Sequence, residues 1–420
     1  MLANTLRNKL LSSGFLHTFA ANFLTNMLAF GSVLVVAYFL TPADVADIRI
    51  MQAYAIIGTT LASLGYTTGL LKACAEGDDK AAEEGYLKRA TGHTFVTSLA
   101  YIALLLGLTQ TGIIALSTDT LKTYLPYMLL MVPLSVVIEN MRNFLIAKKA
   151  FKEAANAQIN VRILTFFMVV GATYVWGISG FVLATVAAYG FGVLRFVKEV
   201  GTGFLRRVAI PFPSYFVSFS LFAMLGNLFV IISNYGDMFM LDMNIADRST
   251  LGAYALASVL LGGMMVVTTS VQTILLPDMI KNQKDLVWMR KHFVDKQLKL
   301  TGMSVALAVI AVMGVSIAFP LVYGDDYALT PLLFAGLCIN YVLVSAGTLG
   351  GSVLIGQGKT HINTKVAGVA LLAGFVFAYL AIATCGIWGM VYGKILYALI
   401  ICMATNALVL KTLKQQKQDG

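Results

Sequence analysis

The chain has 420 residues, of which 58% are hydrophobic and 12% charged, and its formal net charge is +10. This charged fraction and a mean hydropathy of +0.80 exclude an ordinary soluble domain, in which about 25% of residues are charged. Because the apolar content is high and the four cysteines are scattered, a disordered chain and a disulfide-rich secreted protein are excluded as well. A polytopic membrane protein is the class that remains.

Twelve apolar runs are long enough to be membrane-spanning helices, since a bilayer core of about 30 Å needs roughly 20 apolar residues. An even number of spans leaves both ends of the chain on the same side. The predicted spans cover residues 14–40, 49–73, 93–116, 123–147, 157–176, 179–197, 214–243, 250–277, 297–320, 328–356, 364–383 and 387–410.

Lys and Arg are distributed unequally between the two sets of connecting loops. Of the 30 Lys and Arg residues, only Arg49, Lys122 and Arg248 fall in one set, and Lys394 lies within a span. Cytoplasmic loops carry the excess of Lys and Arg, so we predict that both termini are cytoplasmic. Anionic lipid headgroups account for the net positive charge, and no nucleic-acid partner is expected.

The two halves of the chain repeat each other. Residues 45–55 and 245–255 share Ala-Asp and Ala-Tyr-Ala at one offset, and residues 177–180 and 386–389 share Gly-Ile-x-Gly at a similar one. Because six spans restore the starting orientation, the repeats are parallel, as in transporters whose two lobes enclose a cleft. We predict an all-α membrane protein of two six-helix lobes, residues 1–205 and 206–420.

Five short motifs are distributed along nearly the whole chain. They are Tyr38-Phe39-Leu40-Thr41-Pro42-Ala43, Gly252-Ala253-Tyr254-Ala255, Leu276-Pro277, Gly356-Gln357-Gly358-Lys359 and Gly386-Ile387-Trp388-Gly389. With these motifs the chain resembles the multidrug/oligosaccharidyl-lipid/polysaccharide (MOP) exporter superfamily. Within that superfamily it looks like the polysaccharide branch, the O-antigen flippases of Wzx type.

The resemblance implies a transporter of the bacterial inner membrane, without covalent catalysis and without a cofactor. Its expected cargo is an O-antigen or related repeat unit, an oligosaccharide that pyrophosphate links to undecaprenol. The expected direction is from the cytoplasmic to the periplasmic leaflet, by alternating access of the two lobes. Membrane lipids and a polysaccharide polymerase are the expected partners.

Polar residues on the otherwise apolar spans are candidates for the walls of a polar path. Asn26 lies on a polar face of the first span, and Asn227 and Asn234 share one face of the seventh because they are seven residues apart. The resemblance puts these helices around the cavity, so we predict that the three asparagines line it. For smaller side chains such as Thr60 and Thr268, lining and hydrogen bonding between helices remain equal alternatives.

Charged residues within a span cost about 2.5–3.5 kcal/mol, so they are retained mainly where they pair or face water. Lys394, in the twelfth span, is predicted to attract the pyrophosphate or an acidic sugar, or to pair with Asp237 near the outer leaflet. Arg49, at the outer start of the second span, is predicted to bind substrate or to anchor at the lipid headgroups.

A second group of charges lies towards the predicted cytoplasmic side. Glu139 and Arg142 are one helical turn apart in the fourth span, and Arg162 is near the start of the fifth. An ion pair is the default interpretation of Glu139 and Arg142. Arg142 and Arg162 could instead form a cationic site for a diphosphate, whose oxygens suit guanidinium groups.

The sequence does not decide whether transport is coupled to an ion. Asp237 and Glu139 are the candidates for binding a coupling proton or sodium ion, since burial can raise the pKa of a carboxyl group. An ion-coupled multidrug antiporter of the same superfamily is the alternative function. The cations Arg49, Arg142, Arg162 and Lys394 favour an anionic cargo. The isolated histidines and cysteines predict no metal site.

Overall fold

The computed structural model describes residues 13–76, 79–281, 286–356 and 360–415. Within these ranges the regular elements are all helices. Residues 357–359, which belong to the motif Gly356-Gln357-Gly358-Lys359, lie outside the described residues. In chain order the helices are α1 (Ser13–Ala37), α2 (Pro42–Ala62), α3 (Tyr66–Glu76), α4 (Lys80–Gln110), α5 (Asp119–Met128), α6 (Met131–Ala147), α7 (Phe151–Val200), α8 (Gly203–Arg206), α9 (Phe216–Asn244), α10 (Arg248–Lys281), α11 (Leu286–Tyr323), α12 (Thr330–Gly356), α13 (Thr360–Cys385) and α14 (Ile387–Gln415), and a 3₁₀ turn (Gly324–Tyr327) follows α11.

Each of the twelve predicted spans overlaps a described helix, a part of one or a pair of helices. By length and composition, nine segments of the described residues could cross a membrane. One of them is α7, whose 50 residues contain the non-helical Gly177 and hold the predicted fifth and sixth spans. The first span is α1, and the second is α2 and α3, which are separated at Leu64 and Gly65, where φ is positive. The predicted all-α, polytopic membrane fold is confirmed.

The described helices form two compact units. The first unit consists of the described chain up to Leu40 and of Asp47–Phe239. The second consists of Thr41–Ala46 and of the described chain from Met240 onwards.

In the first unit, hydrogen bonds fix α6 against α3 and α4. The buried Asn140 amide on α6 donates to the Thr94 hydroxyl at 3.0 Å. Asn143, one turn further, donates to the Thr67 carbonyl at 3.1 Å. Around these contacts Leu87, Met141, Phe144 and other apolar side chains form a buried core. The charged residues near the end of α6 are therefore carried by a helix in a fixed position within this unit.

The segment between α7 and α9 is fastened to α4 of the same unit. The Lys88 ammonium donates to the carbonyls of Leu205, at 2.9 Å, and Arg207, at 2.7 Å. Arg207 in turn pairs with Glu84 at 2.8 Å. One lysine thus satisfies two carbonyls near the end of the short helix α8, which lack partners within the helix.

In the second unit, a polar side chain from α11 joins the backbone of α12. The Gln297 amide nitrogen donates to the Ser345 carbonyl at 2.9 Å, and its oxygen accepts from the Leu349 amide at 3.2 Å. On the neighbouring α10, the Thr268 hydroxyl lies 2.7 Å from that of Tyr341. Thr268 is therefore engaged in hydrogen bonding between helices, one of its two predicted roles.

Candidate functional site

The first unit contains a cavity of about 290 Å³ between α2, α6 and α7. Three of the predicted site residues, Glu139, Arg142 and Arg162, line it together. They come from two helices that are consecutive in the chain. The polar side chains that complete its wall are Thr59, Thr60, Ser135, Gln158, Thr165 and Tyr189.

Glu139 and Arg142 form an ion pair along α6. Both Nε and one terminal nitrogen of Arg142 approach the same Glu139 carboxylate oxygen, at 3.0 and 2.9 Å. The Glu139 side chain is 43% exposed and the Arg142 side chain is 27% exposed, so the pair faces the cavity rather than the core. The predicted ion pair is therefore present, and it neutralises one of the two guanidinium groups.

Arg162 is placed differently from Arg142. It projects from α7 with Gln158 four residues before it and Thr165 three residues after it, so the three share one helical face. Among the residues that the structure describes, Arg162 has no carboxylate within ion-pair distance. The cavity therefore presents two guanidinium groups against one carboxylate, and its charge is positive.

This arrangement is suited to an anion. Guanidinium groups bind phosphate oxygens through paired, charge-assisted hydrogen bonds. The hydroxyl groups of Thr59, Thr60 and Ser135 could supply further donors, although Thr59, Thr60 and Ser135 now donate to carbonyls of their own helices. The site can therefore hold a phosphate or diphosphate group by charge and hydrogen bonds, without a covalent step.

The three predicted asparagines lie elsewhere. Asn26 on α1 and Asn227 and Asn234 on α9 are exposed side chains that do not line this cavity. Their lining of a substrate path remains a prediction.

Arg49 and Asp237 are buried in the first unit. Arg49 is 9% exposed, donates to the Gln52 side chain at 3.0 Å, and lies over the Tyr235 ring with Cζ 5.2 Å from its centroid. Asp237 is 1% exposed, and one of its oxygens accepts from the backbone amide of Met238 at 2.9 Å. Neither residue lines the cavity.

Lys394 belongs to the second unit, on α14. Its ammonium lies 5.9 Å from the ring centroid of the fully buried Tyr254. The two residues bring α10 and α14 together, and a cation over an aromatic face is attracted to the ring. A substrate-binding role for Lys394 remains a prediction.

Several cavity residues are absent from the sequence-based site, among them Thr59, Ser135 and three residues of α7. Gln158 and Thr165 lie on the same face of α7 as Arg162, and Tyr189 comes from the later part of that helix. The spacing of Gln158, Arg162 and Thr165, at intervals of four and three residues, was the available signal. Tyr189 had no such signal, because it reaches the cavity only through the fold of α7.

Solved transporters share this fold. The chain is similar to a multidrug resistance MATE family transporter of the MOP superfamily in the inward-facing conformation, with a TM-score of 0.76, 14% identity, and coverage of 96% of this chain and 99% of that chain. An outward-facing conformation of such a transporter gives a TM-score of 0.60, 14% identity and 96% coverage of both chains. The Vibrio cholerae MATE transporter VcmN in the bent form gives 0.56 and 16%, with coverage of 97% and 98%. At these identities the likeness shows the fold alone.

A family model extends the comparison to sequence. No curated protein matches the chain. Residues 11–283 match the model described as polysaccharide biosynthesis protein. This match covers more than half of the chain, and the fold is that of MOP superfamily transporters, so the protein belongs to the polysaccharide biosynthesis protein family.

Proposed function

We propose that this protein is a flippase for an oligosaccharide linked through pyrophosphate to undecaprenol. The proposal takes the O-antigen or a related repeat unit as cargo, carried from the cytoplasmic to the periplasmic leaflet of the bacterial inner membrane. Membership of the polysaccharide biosynthesis family supports a saccharide cargo. The membrane-spanning fold supports transport.

The observation that carries the proposal is the positively charged cavity. A charge within a membrane span is costly and is retained where it serves an interaction. Arg162 faces the cavity without a carboxylate partner among the described residues, and the Glu139 carboxylate of the cavity wall pairs with Arg142. A diphosphate would supply the missing negative charge, whereas a cationic drug would be repelled.

The size of the cavity suggests which part of the substrate it holds. Pockets for drug-sized ligands measure roughly 300–1,000 Å³, so about 290 Å³ suits a diphosphate with an adjoining sugar rather than a whole oligosaccharide. Gln158 and Tyr189 add an amide and a phenol beside the arginines. In this scheme the isoprenoid tail stays in the lipid.

The direction and the energy source complete the proposal. The excess of Lys and Arg in one set of loops supports cytoplasmic termini, and it puts the cavity nearer the cytoplasmic side. Glu139 and Asp237 are the proposed sites for a coupling proton or sodium ion. A polysaccharide polymerase would consume the flipped unit on the periplasmic side.

The proposal is tested with purified protein in liposomes that contain a fluorescent undecaprenyl-diphosphate-linked sugar. The rate at which the label becomes accessible to a membrane-impermeant quencher measures flipping. We expect Arg162→Gln to lower this rate about tenfold or more, because a charge-assisted hydrogen bond contributes about 1.5–3 kcal/mol. Arg206→Gln, which removes an exposed arginine outside the cavity, is the matched control and should flip at the wild-type rate.

Two results would contradict the proposal. One is equal flipping by wild-type protein, the Arg162 variant and protein-free liposomes. The other is exchange of cationic drugs for protons by the same preparation, which would indicate an ion-coupled multidrug antiporter.

A further inference from the structure

Arg49 is a buried cation whose charge is not neutralised within the described part of the chain. It lies on α2, is 9% exposed, and its Nε is buried without a hydrogen-bond partner. Its guanidinium donates to Gln52 and lies over the Tyr235 ring, 5.2 Å from Cζ to the centroid. Neither neighbour carries a charge, and no carboxylate of the described residues lies within ion-pair distance.

This setting is unfavourable for a residue with a purely structural role. Buried charges are normally paired, because the attraction of a partner must offset the loss of hydration. An aromatic face and one neutral amide offset only part of that loss. An arginine anchored at lipid headgroups would also keep its guanidinium exposed, whereas that of Arg49 is enclosed by the protein.

Arg49 shares a face of α2 with the wall of the charged cavity. Arg49, Gln52, Ile56 and Thr59 follow one another at intervals of three, four and three residues, which places them on one side of the helix. Ile56, Thr59 and the next residue, Thr60, line the cavity. At 1.5 Å per residue, Arg49 is about 16 Å from Thr60 along the helix.

The nearest acidic residue in the sequence is directed elsewhere. Asp47 precedes Arg49 by two residues, which on a helix is the opposite side. Its carboxylate accepts from the Thr118 hydroxyl at 2.9 Å. The Arg49 side of α2 therefore keeps its positive charge.

We propose that Arg49 is a second anion-binding residue, which takes the phosphate groups of the substrate after they leave the Arg142 and Arg162 cavity. The inference rests on the proposed function, because it assumes an anionic cargo. Tyr235 holds the guanidinium in the absence of substrate, and the phosphate replaces the ring as its partner. The ligand class is a phosphate or diphosphate anion.

The test measures binding to the full chain in phosphatidylcholine nanodiscs, with undecaprenyl diphosphate and inorganic pyrophosphate as separate probes. We expect Arg49→Gln to weaken the binding of undecaprenyl diphosphate about tenfold or more. The matched control is Arg206→Gln, which removes an exposed arginine outside the cavity and should bind like the wild type. A second variant, Tyr235→Leu, removes the ring but keeps the arginine. It should bind at least as tightly as the wild type, because the ring no longer competes. The packing of Tyr54 on Phe239, with centroids 4.3 Å apart, still joins α2 to α9 in that variant.

The variant Arg49→Lys, together with thermal unfolding of each variant, distinguishes a loss of affinity from a loss of stability. Lys keeps the charge, so this variant should lose less affinity than the Gln variant and should unfold near the wild-type temperature. Wild-type affinity in Arg49→Gln overturns the proposal, and so does equal weakening by Arg49→Gln and Tyr235→Leu. An effect of Arg49→Gln that appears only when phosphatidylglycerol is added identifies a headgroup anchor and also overturns it.

The same assay separates this inference from the proposed function. Weaker binding of pyrophosphate as well as of the lipid identifies the phosphate groups, rather than the isoprenoid chain, as the ligand of Arg49. If Arg162→Gln binds like the wild type while Arg49→Gln is weakened, the cavity proposal fails and the Arg49 site stands. If Arg49→Gln binds like the wild type while Arg162→Gln is weakened, the Arg49 proposal fails and the cavity proposal stands.

Discussion

Gly177 and Gly386 have the same positive φ, +58° and +57°, in corresponding turns of the two halves of the chain. Each is followed three residues later by a second glycine, Gly180 or Gly389. A Cβ on Gly180 would meet the backbone of Ala172, and one on Gly389 would meet that of Ala381, in both cases eight residues earlier. The repeated Gly-Ile-x-Gly sequence therefore encodes one turn twice: the first glycine reverses the chain and the second lets the returning helix pack closely.

We expect Gly177→Ala and Gly386→Ala each to lower the free energy of unfolding by about 1–3 kcal/mol, the usual cost of a side chain in a strained backbone region. Thermal unfolding in detergent measures the effect. Gly171→Ala is the control, since Gly171 is in the same helix as Gly177 with nothing within 4 Å of its Cβ position. It should be neutral or slightly stabilising. Equal stability of all three variants would show that the turn does not require glycine.

The number of spans could be predicted from the sequence because the bilayer fixes the length of each apolar run. The interruption of the second span at Leu64 and Gly65 could not. It depends on a distant contact, since a Cβ on Gly65 would meet the Ser220 carbonyl of α9. An apolar run indicates that a helix crosses the membrane. Where that helix is interrupted depends on the neighbouring helix that packs against it.

The charged cavity was predicted in part. The sequence brings Glu139 and Arg142 together because they are one turn apart, and it associates Arg162 with them through topology. It cannot tell which polar stripes face a cavity. Thr60 lines the cavity, whereas Thr268 bonds Tyr341 between helices, although both are threonines in apolar spans.

Glu139 is expected to limit anion binding in the cavity. In Glu139→Gln the hydrogen bond to Arg142 can persist, but the negative charge that competes with a diphosphate is lost. We expect pyrophosphate to bind several-fold more tightly, because a like charge near the ligand is removed. Glu199→Gln, which alters a similar pair with Arg195 on α7 outside the cavity, is the control. Unchanged or weaker binding in the Glu139 variant would argue against a diphosphate beside Arg142.

Gln297 is expected to be important for stability but not for substrate binding. Its amide joins the Ser345 carbonyl and the Leu349 amide of α12, so Gln297→Leu removes two hydrogen bonds between helices. We expect the free energy of unfolding to fall by about 1–2 kcal/mol, with unchanged affinity for undecaprenyl diphosphate. Ser304→Ala on the same helix should have a smaller effect, because the buried Ser304 hydroxyl donates to the Leu300 carbonyl of its own helix at 2.9 Å. Loss of affinity in the Gln297 variant would contradict this assignment.

Asp47 and Asp247 match in the sequence repeat but differ in the structure. Asp247 precedes the first turn of α10, and its carboxylate accepts from the Ser249 amide at 3.0 Å and from the amide and hydroxyl of Thr250. Asp47 lies inside α2, because Thr41 and Asp44 cap that helix six residues earlier. The sequence match therefore predicts the repeat, but not the position at which each helix begins.

The cap makes the stability of α10 dependent on pH. The Thr250 hydroxyl, with the Ser249 and Thr250 amides, holds the pKa of Asp247 below its ordinary value of 3.8. Because the pKa is lower in the folded state, the stabilisation is complete above that value and is lost as the pH falls through the folded pKa. We expect Asp247→Ala to lower the free energy of unfolding by about 1 kcal/mol at pH 7. The difference from the wild type should shrink as the pH falls below 3.8, because the wild-type carboxylate loses its charge as the pH approaches its folded pKa.

Asp247→Asn separates capping from charge in the same measurement. An asparagine oxygen still accepts from the backbone amides, and Asn caps helices about as well as Asp. The Asn variant should therefore remain near wild-type stability at pH 7 and should vary less between pH 7 and pH 3. Thermal unfolding of the three proteins in one detergent at both pH values provides the comparison. If the Asn variant is as unstable as the Ala variant, the stabilisation comes from the charge near the positive end of the helix dipole rather than from the hydrogen bonds of the cap.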